Sequence, residues 1–337
     1  MNSWSYARLL GLLALALIWV TPALTVEPLA AAQKKRQLAW WESARPAQPT
    51  PAAQLVYAHS LRDAGRLIAA SKQYRAITYA WPHSPEASLA QYNYAQLLER
   101  RGKELEAFAE YQYLLETYAG FVSYEEIIER QYGIADRYAT RPRRFLGFRY
   151  QTPEEAIPLF ETLIQNAPHG KYAAELLFRM ARIYEQNKQI ELAMETYALF
   201  QQQYPGHALR ESAAFSHGKC AYQYSLANPQ AVDIRQHAEA VLAGFLERYP
   251  FSAMAAQARL WLQELQMAQA SILYQQALGY DRQARRTASP AEARALLHAA
   301  QLCYQRVIYE YPLAHWAETA RARLSRVEQR LEHYHDH

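Results

Sequence analysis

The sequence predicts an all-α protein in which about six helix pairs stack into an α-solenoid, a right-handed superhelix with a concave and a convex face. Composition supports this prediction first: only 11 of the 337 residues are Gly, which is the poorest helix former after Pro. Two patterns that recur along the chain support it further. One is a ladder of apolar residues, and the other is a signature built around a proline.

Each ladder is an alanine followed by larger apolar residues four and seven positions later, so that all three lie on one face of a helix. The alanine lets a partner helix approach closely, and the larger side chains fill the space beyond it. Successive ladder alanines are 37, 49, 37, 45 and 62 residues apart, and the interval of 37 fits one helix pair with tight turns. The six ladders are Ala70/Tyr74/Ile77, Ala107/Tyr111/Leu114, Ala156/Phe160/Leu163, Ala193/Tyr197/Phe200, Ala238/Leu242/Phe245 and Ala300/Tyr304/Val307.

The proline signature follows most ladders and marks the end of a pair. Proline ends a helix because it lacks an amide donor and clashes with the preceding turn, and a small or polar residue two places on can cap the next helix. Ala95, Ala181 and Gly218 each lie 13 residues after a signature proline, which predicts close packing within a pair. The signatures are Trp81-Pro82-His83-Ser84, Ala167-Pro168-His169-Gly170, Tyr204-Pro205-Gly206-His207, Tyr249-Pro250-Phe251-Ser252 and Tyr311-Pro312-Leu313-Ala314.

Turns within pairs are predicted at Gly65, Gly102 and Lys188, each five residues before a ladder alanine. The longer intervals predict insertions, and the end of the chain predicts one last helix. These segments are residues 140–152, the surroundings of Asn228-Pro229, residues 285–290 and the final helix Trp316–Leu331.

Residues 1–32 have the pattern of an export signal. Arg8 supplies a positive charge, Leu9 to Val20 is an unbroken apolar stretch, and small residues follow it. The apolar stretch is shorter than the roughly 20 residues that span a membrane. We expect cleavage after Thr25 or after Ala32, and an uncleaved membrane anchor is the alternative.

The remaining chain divides into three predicted segments. Residues 33–51 form a proline-containing linker, residues 52–331 form the helical repeat domain, and residues 332–337 form a His-rich tail. Within the linker, Trp40-Trp41 either caps the first helices or serves as an exposed docking element. The tail is interpreted as a frayed polar end rather than a metal site.

The formal net charge of +4 is spread over the whole chain. A nucleic-acid-binding protein of this size usually carries a denser basic stripe, so nucleic acid is not an expected partner. The short basic runs at residues 34–36, 141–144 and 285–286 are interpreted as solvated loops.

No motif for catalysis or for cofactor binding is found, so we expect neither an enzyme nor a bound cofactor or metal. The sequence contains no Gly-rich phosphate loop, no His-Glu-x-x-His and no Gly-x-Ser-x-Gly. His217 lies three residues before Cys220, but both are expected to pack in a helix. Cys220 and Cys303 are the only cysteines, and two buried residues are favoured over a disulfide.

The ladders and proline signatures resemble those of the tetratricopeptide family over nearly the whole repeat domain. This resemblance implies a scaffold that binds protein or peptide partners along the inner surface formed by the first helix of each pair. By analogy with the family, the inward-facing residues of these helices are the candidate partner-binding residues. They are His59, Arg62, Tyr92, Gln96, Arg100, Phe178 and Arg182.

The C-terminal half has a narrower resemblance, to the BamD family of outer-membrane assembly factors. It is carried by Asp233 to Ala238, by Phe245 to Pro250, by Ala258-Arg259-Leu260 and by a long helix up to Tyr280. The resemblance implies a periplasmic protein, in peripheral association with the outer membrane, that binds assembly subunits or unfolded β-barrel precursors. The sequence lacks the lipid-anchor cysteine of that family and has an additional N-terminal repeat. The periplasmic Tol-Pal-associated tetratricopeptide family, which shares the Tyr-Pro signatures, is the competing resemblance.

Overall fold

The computed structural model describes residues 45–145, 148–150 and 152–333. The predicted export signal, most of the predicted linker with Trp40-Trp41, and tail residues 334–337 lie outside the described residues. The chain divides into two compact units, an N-terminal unit that ends at Ile183 and a C-terminal unit that begins at Tyr184.

The described residues contain thirteen α-helices, one short 3-10 helix at Pro153–Ala156 and one two-stranded hairpin. The helices are α1 (Pro51–Asp63), α2 (Leu67–Ala80), α3 (Pro85–Arg100), α4 (Glu104–Thr117), α5 (Tyr124–Thr140), α6 (Ile157–Asn166), α7 (Ala173–Gln186), α8 (Ile190–Gln203), α9 (Arg210–Ala227), α10 (Val232–Arg248), α11 (Ala255–Ala284), α12 (Pro290–Glu310) and α13 (Trp316–His333).

Consecutive helices form the predicted pairs α1–α2, α3–α4 and α5–α6 in the N-terminal unit and α9–α10 and α11–α12 in the C-terminal unit, and α13 packs on the last pair. The predicted pair α7–α8 includes the boundary between the two units and stays a prediction. Each unit is thus a stack of helix pairs, and the prediction of an all-α solenoid is confirmed. The handedness of the predicted superhelix concerns both units together and stays a prediction.

All six predicted ladders are buried. Each ladder alanine is completely inaccessible to solvent, and the larger residues of the ladders are at most 3% exposed. The small residues of the first helices behave as expected, since Ala95 and Ala181 are also completely buried. At Gly218 a Cβ atom would lie only 2.9 Å from Leu242 Cδ2, so a larger residue would displace the side chain of Leu242.

The proline signatures form one repeated turn. In each, the N–H of the residue two places after the proline donates to the carbonyl of the residue before the proline, at 2.9 to 3.2 Å. This is the hydrogen bond of a β-turn with proline at its second position, where the fixed φ of proline is favourable. The donor and acceptor pairs are Ser84 and Trp81, Gly170 and Ala167, His207 and Tyr204, Ser252 and Tyr249, and Ala314 and Tyr311.

The turns within the pairs also agree with the prediction. Gly65 and Gly102 have φ of 73° and 70°, and Lys188 has φ of 63°. Glycine adopts this left-handed backbone without steric cost, whereas lysine does so under mild strain.

The predicted insertion at residues 140–152 contains an antiparallel hairpin of β1 (Arg143–Phe145) and β2 (Phe148–Tyr150), with Arg144 opposite Arg149. Residues 143–144 of the basic run therefore lie in a strand, and the interpretation of the whole run 141–144 as a loop is wrong. At the two later insertions the structure has short turns at residues 228–231 and 285–289, and the flanking helices are longer than those of the short repeats. Helices α1 to α4 have 13 to 16 residues, whereas α10, α11 and α12 have 17, 30 and 21.

Aromatic side chains join successive first helices. Tyr222 of α9 stacks on Trp261 of α11 with ring centroids 5.4 Å apart, and Tyr274 of α11 stacks on Trp316 of α13 at 4.8 Å. Such contacts contribute about 0.5 to 1.5 kcal/mol beyond the area they bury. They account for part of the unusual abundance of tyrosine, which has 26 copies in this sequence.

We expect Ala193→Leu to destabilise the C-terminal unit by about 1 to 3 kcal/mol, because the larger side chain has no space at this buried contact. The matched control is Ala198→Leu, which makes the same substitution on the exposed face of α8 and should change stability by less than about 0.5 kcal/mol. Urea midpoints measured by circular dichroism compare the two variants. Equal midpoints would contradict the close-packed ladder.

Candidate functional site

The seven candidate partner-binding residues all lie in the N-terminal unit, on the first helices α1, α3 and α7. On α1, the half-buried ring of His59 packs edge-on against Tyr74, with centroids 5.7 Å apart. Burial lowers the pKa of His59, and the neighbouring charge of Arg62 lowers it further. Arg62 reaches the next first helix, where its Nη1 donates to Asn93 Oδ1 at 3.0 Å.

The three candidates on α3 share one face, since they are spaced by four residues. Tyr92 is half-buried and donates its hydroxyl to the carboxylate of Glu126 on α5. Burial and this hydrogen bond raise the pKa of Tyr92. Gln96 is half-buried one turn further along, and Arg100 is exposed at the last residue of the helix.

The two candidates on α7 lie apart from those of α3. Phe178 is half-buried and Arg182 is exposed. Their neighbour Arg179 joins α7 to α5, because its Nη1 donates to Asp136 Oδ1 at 2.8 Å. The structure therefore brings Gln96 and Arg100 into a common site, but it does not place all seven candidates together.

Gln96 and Arg100 line an open cavity of about 430 Å³ between α3, the start of α4 and α5. We name this cavity the arginine groove, because four of its lining residues are arginines. Its lining residues are Gln96, Glu99, Arg100, Gly102, Glu104, Arg130, Arg137 and Arg141. The cavity lies within the N-terminal unit and is within the size range of protein ligand sites.

Ion pairs fix most of these arginines. Arg137 donates from Nη2 to Glu99 Oε1 at 2.7 Å and from Nε to Glu104 Oε1 at 3.2 Å. Arg141 lies 3.5 Å from Glu104, and Arg130 lies 3.9 Å from Glu99. Glu99 also accepts a hydrogen bond from the buried hydroxyl of ladder residue Tyr111 at 3.2 Å. The groove is thus attached directly to the core of its helix pair.

The arginine groove carries an excess of positive charge, since four arginines face two glutamates. Arg100 forms no ion pair with any of the described residues and is exposed to solvent. Guanidinium groups bind carboxylates through paired, charge-assisted hydrogen bonds. The groove therefore favours an anionic group, above all a carboxylate.

The sequence-based prediction missed Arg130, Arg137 and Arg141 because they lie on or just after α5. No proline signature precedes this helix, so the position of its inward face could not be counted from a proline. The spacing of Arg130 and Arg137, seven residues on one helical face, is the signal that could have revealed them.

The two cysteines and the possible metal ligands were the remaining candidates for chemistry. Burial and the charge of Glu185 raise the pKa of Cys220 to about 12, so this thiol is protonated at neutral pH. Cys220 is buried, Cys303 is half-buried, and neither forms a disulfide. No group of three potential metal ligands occurs in residues 45–145, 148–150 and 152–333. Among the helices described, none is both long and apolar enough to cross a membrane.

No protein-family model matches this sequence, and no curated protein matches it. Several solved structures are similar to it at low identity. A tetratricopeptide repeat protein from Parabacteroides merdae is 15% identical over 82% of this chain and 98% of that chain, with a TM-score of 0.28. The C-terminal part of a tetratricopeptide repeat-containing protein from Cytophaga hutchinsonii is 12% identical. The match covers 87% of this chain and 94% of that chain, with a TM-score of 0.30.

A third structure, YrrB, is described as a tetratricopeptide protein with an unusual peptide-binding site. It is 14% identical over 69% of this chain and 98% of that chain, with a TM-score of 0.27. At these scores the repeat type is assigned from this chain itself, by its helix pairs, its buried ladders and its proline turns. On those grounds the chain is an all-α solenoid of tetratricopeptide-like pairs.

We expect Arg137→Gln to destabilise the N-terminal unit by about 1 kcal/mol, because it removes the cation that bridges Glu99 and Glu104. The loss of stability should be smaller in 1 M salt, because salt screens the repulsion between the carboxylates of Glu99 and Glu104. Arg326→Gln, on the exposed face of α13, is the matched control and should have almost no effect. Urea midpoints at low and high salt test this expectation, and a loss that does not depend on salt would contradict it.

Proposed function

We propose that this protein is a scaffold that binds partner proteins, and that the arginine groove holds an acidic segment of one partner. The observation that carries the proposal is the cluster of four arginines, from α3, from α5 and from the residue after α5, around one cavity of about 430 Å³. In this arrangement, successive first helices lie side by side and present a continuous surface to an extended segment.

The ion pairs within the groove suit this role. Glu99 and Glu104 hold Arg137 in position before a ligand arrives, which reduces the entropy lost on binding. Arg100 and Arg130 keep more freedom, since one has no ion pair among the described residues and the other has only long ones. These two arginines are the ones expected to contact a ligand carboxylate directly.

We propose further that the protein works in the periplasm, in outer-membrane β-barrel assembly, and that it acts by binding and not by catalysis. The export-signal pattern of residues 1–32 supports the location. The BamD-like pattern from Asp233 to Tyr280 supports the pathway. The absence of catalytic motifs from the sequence supports a binding role.

A Tol-Pal-associated or peptidoglycan-associated scaffold is the second candidate function. The three Tyr-Pro signatures favour it, since that periplasmic family shares them. They are Tyr204-Pro205, Tyr249-Pro250 and Tyr311-Pro312.

Affinity capture from native envelope extract tests the proposal. We expect the full-length chain to recover outer-membrane assembly proteins, and the variant Arg100→Gln/Arg130→Gln to recover at least about five-fold less of them. Added salt should also reduce recovery by the unmodified chain, because the attraction is electrostatic.

The matched control is Lys72→Gln/Arg326→Gln, which removes the same charge from exposed positions of α2 and α13. It should recover partners as well as the unmodified chain does. Recovery of Tol-Pal or cell-wall components alone would favour the second candidate. Equal recovery by both double variants would exclude the arginine groove as the binding site, and recovery of no envelope protein would reject both functions.

A further inference from the structure

A second cavity, which is open to solvent, lies in the C-terminal unit and is lined by α8, α9, α10 and the residue that follows α10. Its volume is about 180 Å³, below the usual range for sites that hold a whole drug-sized ligand. A small molecule or a single amino-acid residue fits this volume. We name it the α10 pocket, and its lining residues are Gln201, Ala214, His217, Ala240, Val241, Gly244, Phe245, Arg248 and Tyr249.

One wall of the α10 pocket is apolar. Ala214 and Phe245 are buried members of the core of this unit, and Val241 packs against the same core. Gly244 lies between them on α10, and a Cβ atom built there would meet no other atom within 4 Å. The missing side chain of Gly244 therefore leaves this space empty and open to solvent.

The other lining residues include polar side chains that can donate hydrogen bonds. Burial and the charge of His237 lower the pKa of His217 to about 4, so its ring is neutral at neutral pH. Gln201 Nε2 lies 3.4 Å from His217 Nδ1, and an amide nitrogen can only donate. In this pairing Nδ1 is the acceptor, which assigns the ring hydrogen to Nε2.

Arg248 is another of these polar residues. It is exposed, it occupies the last residue of α10, and it forms no ion pair with the described residues. The pocket thus combines an apolar wall with a guanidinium, a neutral imidazole donor and an amide, and it contains no carboxylate. A ligand that matches both parts has a small apolar group and an anionic acceptor separated by only a few bonds.

We propose that the α10 pocket binds an aliphatic carboxylate. The aliphatic group lies against Val241 and Phe245 above Gly244, and the carboxylate accepts hydrogen bonds from Arg248 and His217. A free short-chain acid and the C-terminal residue of a polypeptide both have this chemistry. This site is separate from the arginine groove, and it does not depend on the function proposed for that groove.

Saturation-transfer NMR on the full-length chain tests the site with two pairs of probes. Isovalerate is compared with isovaleramide, and the peptide Gly-Ser-Gly-Ser-Leu with a free C-terminus is compared with its amidated form. We expect saturation of the methyl groups of at least one carboxylate probe, with a dissociation constant on the order of 1 mM. The corresponding amide and the variant Arg248→Gln should each bind about ten-fold more weakly.

The decisive comparison is Gly244→Leu against Gly279→Leu. Both glycines lie inside helices of the same unit with open space beyond the Cβ position, so both substitutions leave the fold intact and improve helix propensity. Only Gly244→Leu fills the pocket, and it should abolish the signal that Gly279→Leu keeps. A signal from isovalerate without one from the peptide identifies a free acid as the source, and a signal from the peptide identifies a chain terminus. Equal binding of acids and amides, a signal retained in Gly244→Leu, or no signal with either acid would overturn the proposal.

Discussion

The close approach of paired helices at a buried alanine sets the geometry of each repeat. At these contacts a methyl group replaces a larger side chain, so two helices come close enough for the aromatic or aliphatic residue of the ladder to fill the remaining gap. Tyr111 shows how the arginine groove depends on this contact, because its buried hydroxyl donates to Glu99, and Glu99 in turn pairs with Arg137. A shift of the helix pair would therefore move the arginines.

The ladders and turns could be predicted from the sequence because they are local. A spacing of four and seven residues places side chains on one helical face whatever surrounds the helix, and a proline ends a helix by its own covalent structure. The hairpin at residues 143–150 and the length of α11 could not be predicted in this way. Counting from one ladder to the next gives the size of an insertion, but not whether the additional residues form a loop, a hairpin or more helix.

The candidate site was predicted in part. Gln96 and Arg100 could be found because Pro82 fixes the position of the inward face of α3. The remaining arginines of the groove lie on or after α5, and their ion pairs join residues up to 38 positions apart. Such pairs depend on how α3 and α5 pack against each other. The spacing of residues within one helix cannot predict that packing. The α10 pocket could not be predicted either. A glycine such as Gly244 adds nothing to the periodic pattern of apolar and polar residues from which the faces of a helix are predicted.

Site-specific photo-crosslinking in intact cells tests the central claim most directly, because it reports what lies against the groove without extraction. The photoreactive amino acid p-benzoylphenylalanine would replace Gln96 in the groove or, as a control, Lys72 on the exposed face of α2. The account predicts a crosslinked protein product from position 96 that is absent from position 72, with an acidic segment at the mapped site of attachment. The absence of a product at position 96, or the same products from both positions, would contradict it.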